Sequence, residues 1–355
     1  MTETKNIRVL VVDDEPSILE LLRTALVALG GYEVETARSG REALAMLGDD
    51  RPLFDLVLLD IQMPEMNGVD VCKRMRDTLG YRFVPIIMLT AMSQMEYVDK
   101  AFIAGATDYI TKPFNFEDLR RRVGNALRTY QEKVTDSDED ADAEDMLAPL
   151  TRSPRENRLK FEAKIDFSNI ERFLETERFD NYVRQMVGSR APHTSAFAVK
   201  ISNGYYLHRA LASDDFVACL SNVAVLLSQV TEKTGSLISY RGRGLFLCVE
   251  YGNRLSDTDA IERVLNSHMT SSLTVKNTRP KIVVSEHAEL KQHDRISAKS
   301  LMSDAIAGAE TRAEAEVDET EAAGQAVRQR IVASNRVVTE SRPYRDMLSS
   351  VLRGA

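Results

Sequence analysis

The chain has 355 residues, a formal net charge of -8 and 43% hydrophobic residues, enough for two or three domains of ordinary size. It lacks an apolar run of the roughly 20 residues that cross a bilayer, and it lacks a signal peptide, so we predict a cytoplasmic protein without membrane insertion. The number of Lys and Arg residues minus the number of Asp and Glu residues is 16 minus 20 for residues 1–130, 1 minus 8 for 131–150 and 29 minus 26 for the remainder. Since no region has a strong basic excess and no clear helix-turn-helix is present, a DNA-binding transcription factor is a disfavoured alternative and we predict no DNA partner.

Residues 7–130 alternate short β-rich runs with segments of helical periodicity. The runs are IRVLVV, YEVETA, FDLVLL, VPIIML and TDYI. Three of them are apolar almost throughout, as central parallel strands covered on both faces must be. The order is typical of a doubly wound α/β fold, in which ligands bind at the carboxyl ends of the strands. The polar residues that follow the runs are Asp13, Asp14, Asp60, Thr90 and Lys112.

Each of these polar residues has an ordinary structural explanation when it is taken alone. Asp14 can start a helix that has Pro16 in its first turn, Thr90 can cap the next helix, and Lys112 can be a surface charge. Together, however, they meet at one edge of the predicted sheet. The three carboxylates among them repel one another unless a cation joins them, so a shared acidic pocket explains the set better.

Residues 5–130 resemble the receiver domain of bacterial two-component response regulators, which has a flavodoxin-like fold with a five-stranded parallel sheet. The motifs VVDDEP, LVLLDIQMPEMNG, MLTA and YITKPF occur in the order and at the separations of that family. The resemblance implies that Asp60 accepts a phosphoryl group from a cognate histidine kinase or phosphotransfer protein. It also implies that Asp13 and Asp14 join Asp60 in holding Mg²⁺.

The resemblance assigns further roles around this pocket. Lys112 would pair with one phosphoryl oxygen, and Thr90 would hydrogen-bond another. Tyr109 would be the switch aromatic that turns inward when Thr90 moves, and a cis bond would precede Pro113. In the family the fourth helix, fifth strand and fifth helix, here about residues 94–130, report phosphorylation. The resemblance therefore predicts a phosphorylation-dependent homodimer.

The segment TDSDEDADAEDMLAP divides the chain. It repels itself and lacks aromatic and β-branched apolar residues, so we predict an acidic linker over residues 131–154. A calcium loop is the alternative, but the glycine and terminal glutamate of that pattern are missing. Helical periodicity predicts a helical connector over residues 155–178. Residues 317–355 are predicted to be a helical tail, which either docks onto a partner or folds back onto its own chain.

Residues 179–316 follow the order strand, helix, hairpin, helix, strand, helix. This order predicts an α+β domain with an antiparallel-rich sheet and helices against one face. It resembles the GGDEF domain of diguanylate cyclases, and RGRGLFLCVEY is the best anchor, because Gly242 and Phe246 keep their motif letters. The resemblance rests on element order more than on motif identity.

The metal-binding carboxylates of the cyclase family are missing from the matching positions. Leu245 stands at the acidic position of the hairpin, and Lys200 or Ser202 stands where the family has a strand aspartate. The family's product-binding site would fall at Lys233 and Ser236, without its aspartate. The resemblance thus implies a degenerate GGDEF-like domain that is not an enzyme and that signals by binding an output protein or a nucleotide.

The hairpin allows three interpretations. It can be a tight turn in a retained fold. Alternatively, Arg241 and Arg243 can bind an anion, such as a nucleotide phosphate or an acidic partner, because guanidinium groups suit phosphate and carboxylate. Catalysis by another arrangement is the third interpretation, and with it the alternative function: an active nucleotide-processing enzyme on a drifted cyclase scaffold.

Overall fold

The computed structural model describes nine ranges of the chain: 7–48, 52–78, 80–91, 95–141, 159–188, 193–252, 255–272, 279–289 and 297–316. Within these ranges the chain forms two units, each built around a five-stranded sheet. No helix among the described residues is long and apolar enough to cross a bilayer. The predicted tail and most of the predicted acidic linker lie outside the described residues.

The sheet of the first unit is parallel throughout, with the order β2-β1-β3-β4-β5. Its strands are β1 (Ile7–Val12), β2 (Tyr32–Ala37), β3 (Leu56–Asp60), β4 (Ile86–Ala91) and β5 (Asp108–Lys112). The helices are α1 (Pro16–Leu29), α2 (Gly40–Ala45), α3 (Gly68–Asp77), α4 (Met95–Ile103) and α5 (Phe116–Ala141). The prediction of a flavodoxin-like, five-stranded parallel sheet is confirmed.

Alternate residues of the central strands supply two separate cores. Val9 and Val11 of β1 pack with α1 and α5, whereas Leu10 and Val12 pack with α2, α3 and α4. Successive side chains of a strand point to opposite faces, so helices on both faces explain why these strands are apolar almost throughout. Helix α5 continues to Ala141, beyond the boundary predicted near residue 130.

The sheet of the second unit is antiparallel, with the order β10-β6-β8-β7 and with β9 also paired to β6. Its strands are β6 (Ser195–Ile201), β7 (Leu237–Tyr240), β8 (Leu245–Glu250), β9 (Ile282–Val284) and β10 (Ala288–Glu289). The helices are α6 (Thr176–Gly188), α7 (Gly204–Ala210), α8 (Ser213–Val230), α9 (Thr258–Ser272) and α10 (298–316). The prediction of an α+β fold with an antiparallel-rich sheet is confirmed.

The prediction that helices cover one face of this second sheet is wrong. Leu220 of α8 and Leu265 of α9 pack against one face, while Met186 of α6 and Leu301 of α10 belong to the core on the other. All six residues of β8 are buried, which requires cover on both sides. The short helix α7 was not predicted.

The prediction of a helical connector over residues 155–178 is also wrong for its described part. The chain runs through turns and extended segments until α6 begins. Phe173 forms a parallel bridge with Ile238 of β7, and Phe167 and Phe173 are only 6% and 5% exposed. Of the apolar residues whose spacing suggested a helix, Phe173 and Leu174 are thus buried where the chain runs along the second sheet, and Phe161, Ile165 and Ile170 are half-buried.

Candidate functional site

The parallel sheet brings the five predicted polar residues to one edge. Asp13 and Asp14 directly follow β1, Asp60 is the last residue of β3, Thr90 is next to last in β4, and Lys112 ends β5. Strands β1, β3, β4 and β5 are consecutive neighbours, and the carboxyl ends of parallel strands meet at the same edge. The order of the strands therefore builds the site.

Lys112 holds two of the carboxylates together. Its Nζ atom lies 2.7 Å from Asp13 Oδ2 and 2.7 Å from Asp60 Oδ1. The Asp13 side chain is fully buried and that of Asp60 is 6% exposed. A buried carboxylate needs a cation or hydrogen-bond donors nearby, and the ammonium group supplies both for this pair.

Burial and neighbouring charges shift the pKa values of Asp60 and Lys112 in opposite directions. Burial raises the pKa of Asp60 to about 6, although the hydrogen bond and the charge of Lys112 oppose the shift. For Lys112, burial lowers the pKa, but the hydrogen bonds that it donates to Asp13 and Asp60, together with their charges, outweigh this effect and the net direction is upward. Lys112 therefore stays charged at neutral pH, where it faces Asp60 as a fixed cation.

Asp13, Asp14 and Asp60 form the donor set predicted for a metal ion. One carboxylate oxygen from each residue lies within 4.8 Å of the others. Asp14 is partly exposed, which leaves this side of the cluster accessible from solvent. A set made only of carboxylate oxygens suits hard divalent cations such as Mg²⁺. Among the described residues this is the one group of acidic, His or Cys side chains close enough to hold a metal.

Thr90 and the Lys112–Pro113 bond lie at the same edge of the sheet, and so does Gly68 at the start of α3, which sequence reasoning did not single out. Thr90 is 2% exposed and its Oγ1 donates to the Ala91 carbonyl at 3.2 Å. The Lys112–Pro113 bond is cis. A Cβ atom on Gly68 would lie 2.1 Å from the backbone oxygen of Asp60, so only glycine lets the start of α3 pack against the end of β3.

The second unit covers the surface formed by α4, β5 and α5, which we call the α4–β5–α5 face. The hydroxyl of Tyr182 in α6 donates to Asp99 Oδ1 of α4 at 2.8 Å. The Tyr251 hydroxyl, just after β8, donates to the other oxygen of Asp99 at 2.6 Å. The Tyr182 ring meets Phe102 edge-on at 5.3 Å, and Phe102 meets Tyr109 edge-on at 6.5 Å. The predicted switch residue Tyr109 is thus two aromatic contacts away from α6.

A polar network continues the same interface along β5 and α5. Gln185 of α6 donates to Asp108 Oδ1 at 2.8 Å and accepts from Arg122 at 3.0 Å. Arg122 also pairs with Asp108 at 3.0 Å, and Asn181 donates to the carbonyl oxygen of Thr107 at 3.3 Å. Sequence reasoning missed this network, because its members carry no motif and come from distant parts of the chain.

The structure gives both hairpin arginines partners inside the chain. Arg241 lies 2.6 Å from Asp180 of α6 and above the Phe179 ring at 4.8 Å, with a side chain only 13% exposed. Arg243 takes a positive φ of 55° in the turn. Its side chain is 62% exposed and 3.7 Å from Glu162. The Arg241 guanidinium therefore holds α6 against the hairpin.

Three of the positions that the predicted GGDEF resemblance singles out are used for packing or internal hydrogen bonds, whereas Lys233 is exposed. Leu245 is 6% exposed and belongs to the core beneath α6 and α10. Ser202 donates to Glu316 at 3.2 Å. Ser236 is fully buried and donates to the carboxylate of Glu250.

The sequence comparisons match the first unit and, for some relatives, a longer stretch of the chain. The response regulator receiver domain family matches residues 9–124. Response regulator MprA of Mycolicibacterium vanbaalenii is 43% identical over 122 residues, which are 34% of this chain and 51% of that protein. Response regulator MprA of Mycobacterium bovis is 33% identical over 215 residues, 59% of this chain and 90% of that protein. The chain thus spans about half of the first relative's length and most of the second's.

Solved structures with similarity to the chain match about a third of it. The chemotaxis protein CheY4 of Vibrio cholerae is 40% identical and covers 34% of this chain and 97% of its own, with a TM-score of 0.32. A CheY-like receiver domain protein of Methanospirillum hungatei is 32% identical and covers 36% and 97%, with a TM-score of 0.33.

The comparisons correct the prediction that the chain has no DNA partner. The MprA relatives are DNA-binding transcription regulators, and the alignment with MprA of Mycobacterium bovis covers 90% of that relative. The prediction was wrong because it rested on net charge summed over some two hundred residues and on the absence of a clear helix-turn-helix in the sequence. A DNA-binding surface needs basic side chains on only one element, which such a sum averages away.

Proposed function

Because this chain belongs to the response regulator family, we propose that Asp60 accepts a phosphoryl group from a histidine kinase or phosphotransfer protein. The arrangement of Asp60, Asp13 and Lys112, with both carboxylates 2.7 Å from one ammonium group, is the observation that carries the proposal. It supplies a nucleophile and a cation at the place where a transferred phosphoryl group would stand.

The residues of the pocket divide the chemistry among them. An Asp60 carboxylate oxygen attacks the phosphorus atom of phosphohistidine, an O–P bond forms, and the P–N bond breaks. Lys112 keeps its charge and pairs with a phosphoryl oxygen, while the hydroxyl of Thr90 donates to another. A Mg²⁺ ion held by Asp13, Asp14 and Asp60 would neutralise charge on the phosphoryl group.

Phosphorylation of the full chain by acetyl phosphate and Mg²⁺ tests this assignment. We expect the wild type to form a phosphoprotein that runs slowly on a phosphate-affinity gel, and Asp60→Asn to form none. Asp77→Asn, at an exposed position in α3, is the matched control and should behave like the wild type. A phosphoprotein in the Asp60→Asn variant would show that Asp60 is not the acceptor, and its loss in the control would show that the loss is not specific to Asp60.

For the second unit we propose a catalytically inactive GGDEF-like output domain that signals by binding a protein or a nucleotide. Leu245 lies in the core and Ser202 bonds to Glu316, and neither side chain can replace a carboxylate metal ligand. Incubation with GTP and Mg²⁺ or Mn²⁺ should give no cyclic dinucleotide. Turnover of any nucleoside triphosphate would instead favour the alternative of an active enzyme.

A DNA-binding output is the second candidate, and the alignment with MprA of M. bovis over 90% of that relative favours it. Binding of duplex DNA that falls steeply with added salt would support it, since displaced phosphate counterions set that slope. Retention of DNA only after phosphorylation would tie the output to Asp60. A complete lack of DNA retention at low salt, with and without acetyl phosphate, would remove this candidate.

A further inference from the structure

A cleft lies where α5 of the first unit faces α6 of the second. Its volume is about 350 Å³, within the range of about 300–1,000 Å³ that small-molecule sites occupy. Arginines from both helices line it: Arg121, Arg122, Arg128, Arg178 and Arg184.

The carboxylates of the cleft do not balance these cations. Five arginines face three acidic residues, Asp108, Glu177 and Asp180, so the lining has a formal charge of five minus three, or +2. Asp108 is already bonded to Arg122 and Gln185, and Asp180 pairs with Arg241 outside the cleft. Asp108 is thus engaged within the domain interface, and Asp180 is engaged within the second unit.

The outer arginines make contacts along their own helices. Arg128 donates to Asn125 at 3.4 Å, Arg184 donates to Asn181, and Arg121 pairs with Asp118. Over the described parts of the chain, neither Arg128 nor Arg184 forms an ion pair with a carboxylate. Like charges that face each other across a cleft repel, and an anion between them removes that cost.

We propose that this cleft binds a phosphate-bearing small molecule. Guanidinium groups donate in a planar fork that fits phosphate oxygens. The amides of Asn125, Asn181 and Gln185 also line the cleft and can donate to or accept from the rest of a ligand. A recessed cleft of this size suits a small ligand better than duplex DNA, which needs an element that enters a groove about 12 Å wide.

The position of the cleft gives binding a structural consequence. Because one wall comes from α5 and the other from α6, a ligand contacts both walls only while the second unit covers the α4–β5–α5 face. A ligand that binds one arrangement better than another shifts the population toward it. The phosphate-bearing ligand therefore favours the arrangement in which the second unit covers the α4–β5–α5 face.

Calorimetric titration of the full chain with ATP and with pyrophosphate, without divalent cations, tests the proposal. We expect saturable binding that the Arg128→Gln/Arg184→Gln double variant weakens at least about tenfold, since each lost charge-assisted hydrogen bond matters on that scale. Arg23→Gln, at an exposed position of α1, should bind like the wild type. Binding of pyrophosphate as well as ATP would identify the phosphates as the recognised group, and binding of ATP alone would identify a nucleotide.

Several outcomes would overturn the proposal. These are no saturable binding of either probe at millimolar concentration, equal binding by the wild type and the double variant, and equal weakening in Arg23→Gln. Duplex DNA that is retained through Arg128 and Arg184 while neither probe binds would assign the cleft to a macromolecule instead. Since all three substitutions change exposed side chains, thermal unfolding should show the same fold in each variant.

Discussion

Replacing Tyr182 with phenylalanine tests how α6 is held on the receiver. The change removes the hydroxyl that donates to Asp99 at 2.8 Å and keeps the ring that meets Phe102 at 5.3 Å. Tyr182 is 2% exposed, so water cannot take the place of the lost donor. The variant thus separates the hydrogen bond from the packing of the ring.

The size of the effect follows from the chemistry of Asp99. A hydrogen bond to a charged group contributes about 1.5–3 kcal/mol. Tyr251 still donates to the other oxygen of Asp99 at 2.6 Å, so the carboxylate keeps one donor. We therefore expect Tyr182→Phe to lower the free energy that holds the two units together by the lower end of this range, about 1.5 kcal/mol. This loss makes separation of the two units about tenfold more frequent.

Hydrogen exchange of the full chain measures that separation. Amides of α4 and α6 should exchange about tenfold faster in Tyr182→Phe than in the wild type, if they exchange by separation of the units. Tyr206→Phe is the matched control, because Tyr206 is 60% exposed on α7. Equal exchange in the wild type and both variants would refute the idea that this hydrogen bond fastens α6 to the receiver.

Three further predictions concern pH and packing. Burial raises the pKa of Asp99, so the covered state binds more protons than the separated state above about pH 3.9. The interface should weaken as pH rises through the raised pKa. Asp99→Asn should reduce the dependence of the unfolding temperature on pH over that window, while Asp60 and Asp108, whose pKa values burial also raises, keep contributing to it. Gly68→Ala should lower the unfolding free energy by about 1–3 kcal/mol, measured by urea unfolding, because its Cβ would meet backbone at 2.1 Å, whereas Gly124→Ala meets nothing within 4 Å. Leu245→Asp should lower the unfolding free energy by about 3–5 kcal/mol, because it places an unpaired charge in the core.

The acidic pocket around Asp60 could be predicted because the sequence places each of its residues at the end of a strand. Asp60 and Lys112 are 52 positions apart, by subtraction of their residue numbers, yet both lie where apolar runs stop. Once the runs are taken as neighbouring parallel strands, their carboxyl ends must meet. No knowledge of side-chain packing is needed for this step.

The domain interface could not be predicted in the same way. Asp99 is 83 residues from Tyr182 and 152 residues from Tyr251. The periodicity of α6 indicates that one side of the helix is buried, but many surfaces can bury an apolar stripe. Arg241 illustrates the same limit: the sequence suggested a free cation for an anion, and the structure pairs it with Asp180.

The aromatic contacts between β5 and α6 link the strand that ends in Lys112 to the domain interface. Tyr109, Phe102 and Tyr182 are at most 4% exposed and touch in series. Close-packed rings cannot move independently, so a shift of the Tyr109 ring changes the packing of the Tyr182 ring through Phe102. Coupling between two equilibria is reciprocal. If phosphorylation loosens α6, a variant that loosens α6 must make phosphorylation more favourable.

The predicted homodimer and the covered interface compete for the same surface. Pairing of two chains through the α4–β5–α5 face requires that face to be free, but Tyr182 and Gln185 of α6 bond to it. Homodimer formation through this face must therefore first overcome the free energy that holds α6 on the receiver. Phosphorylation can promote the homodimer through this face only to the extent that it favours the separated units over the covered ones.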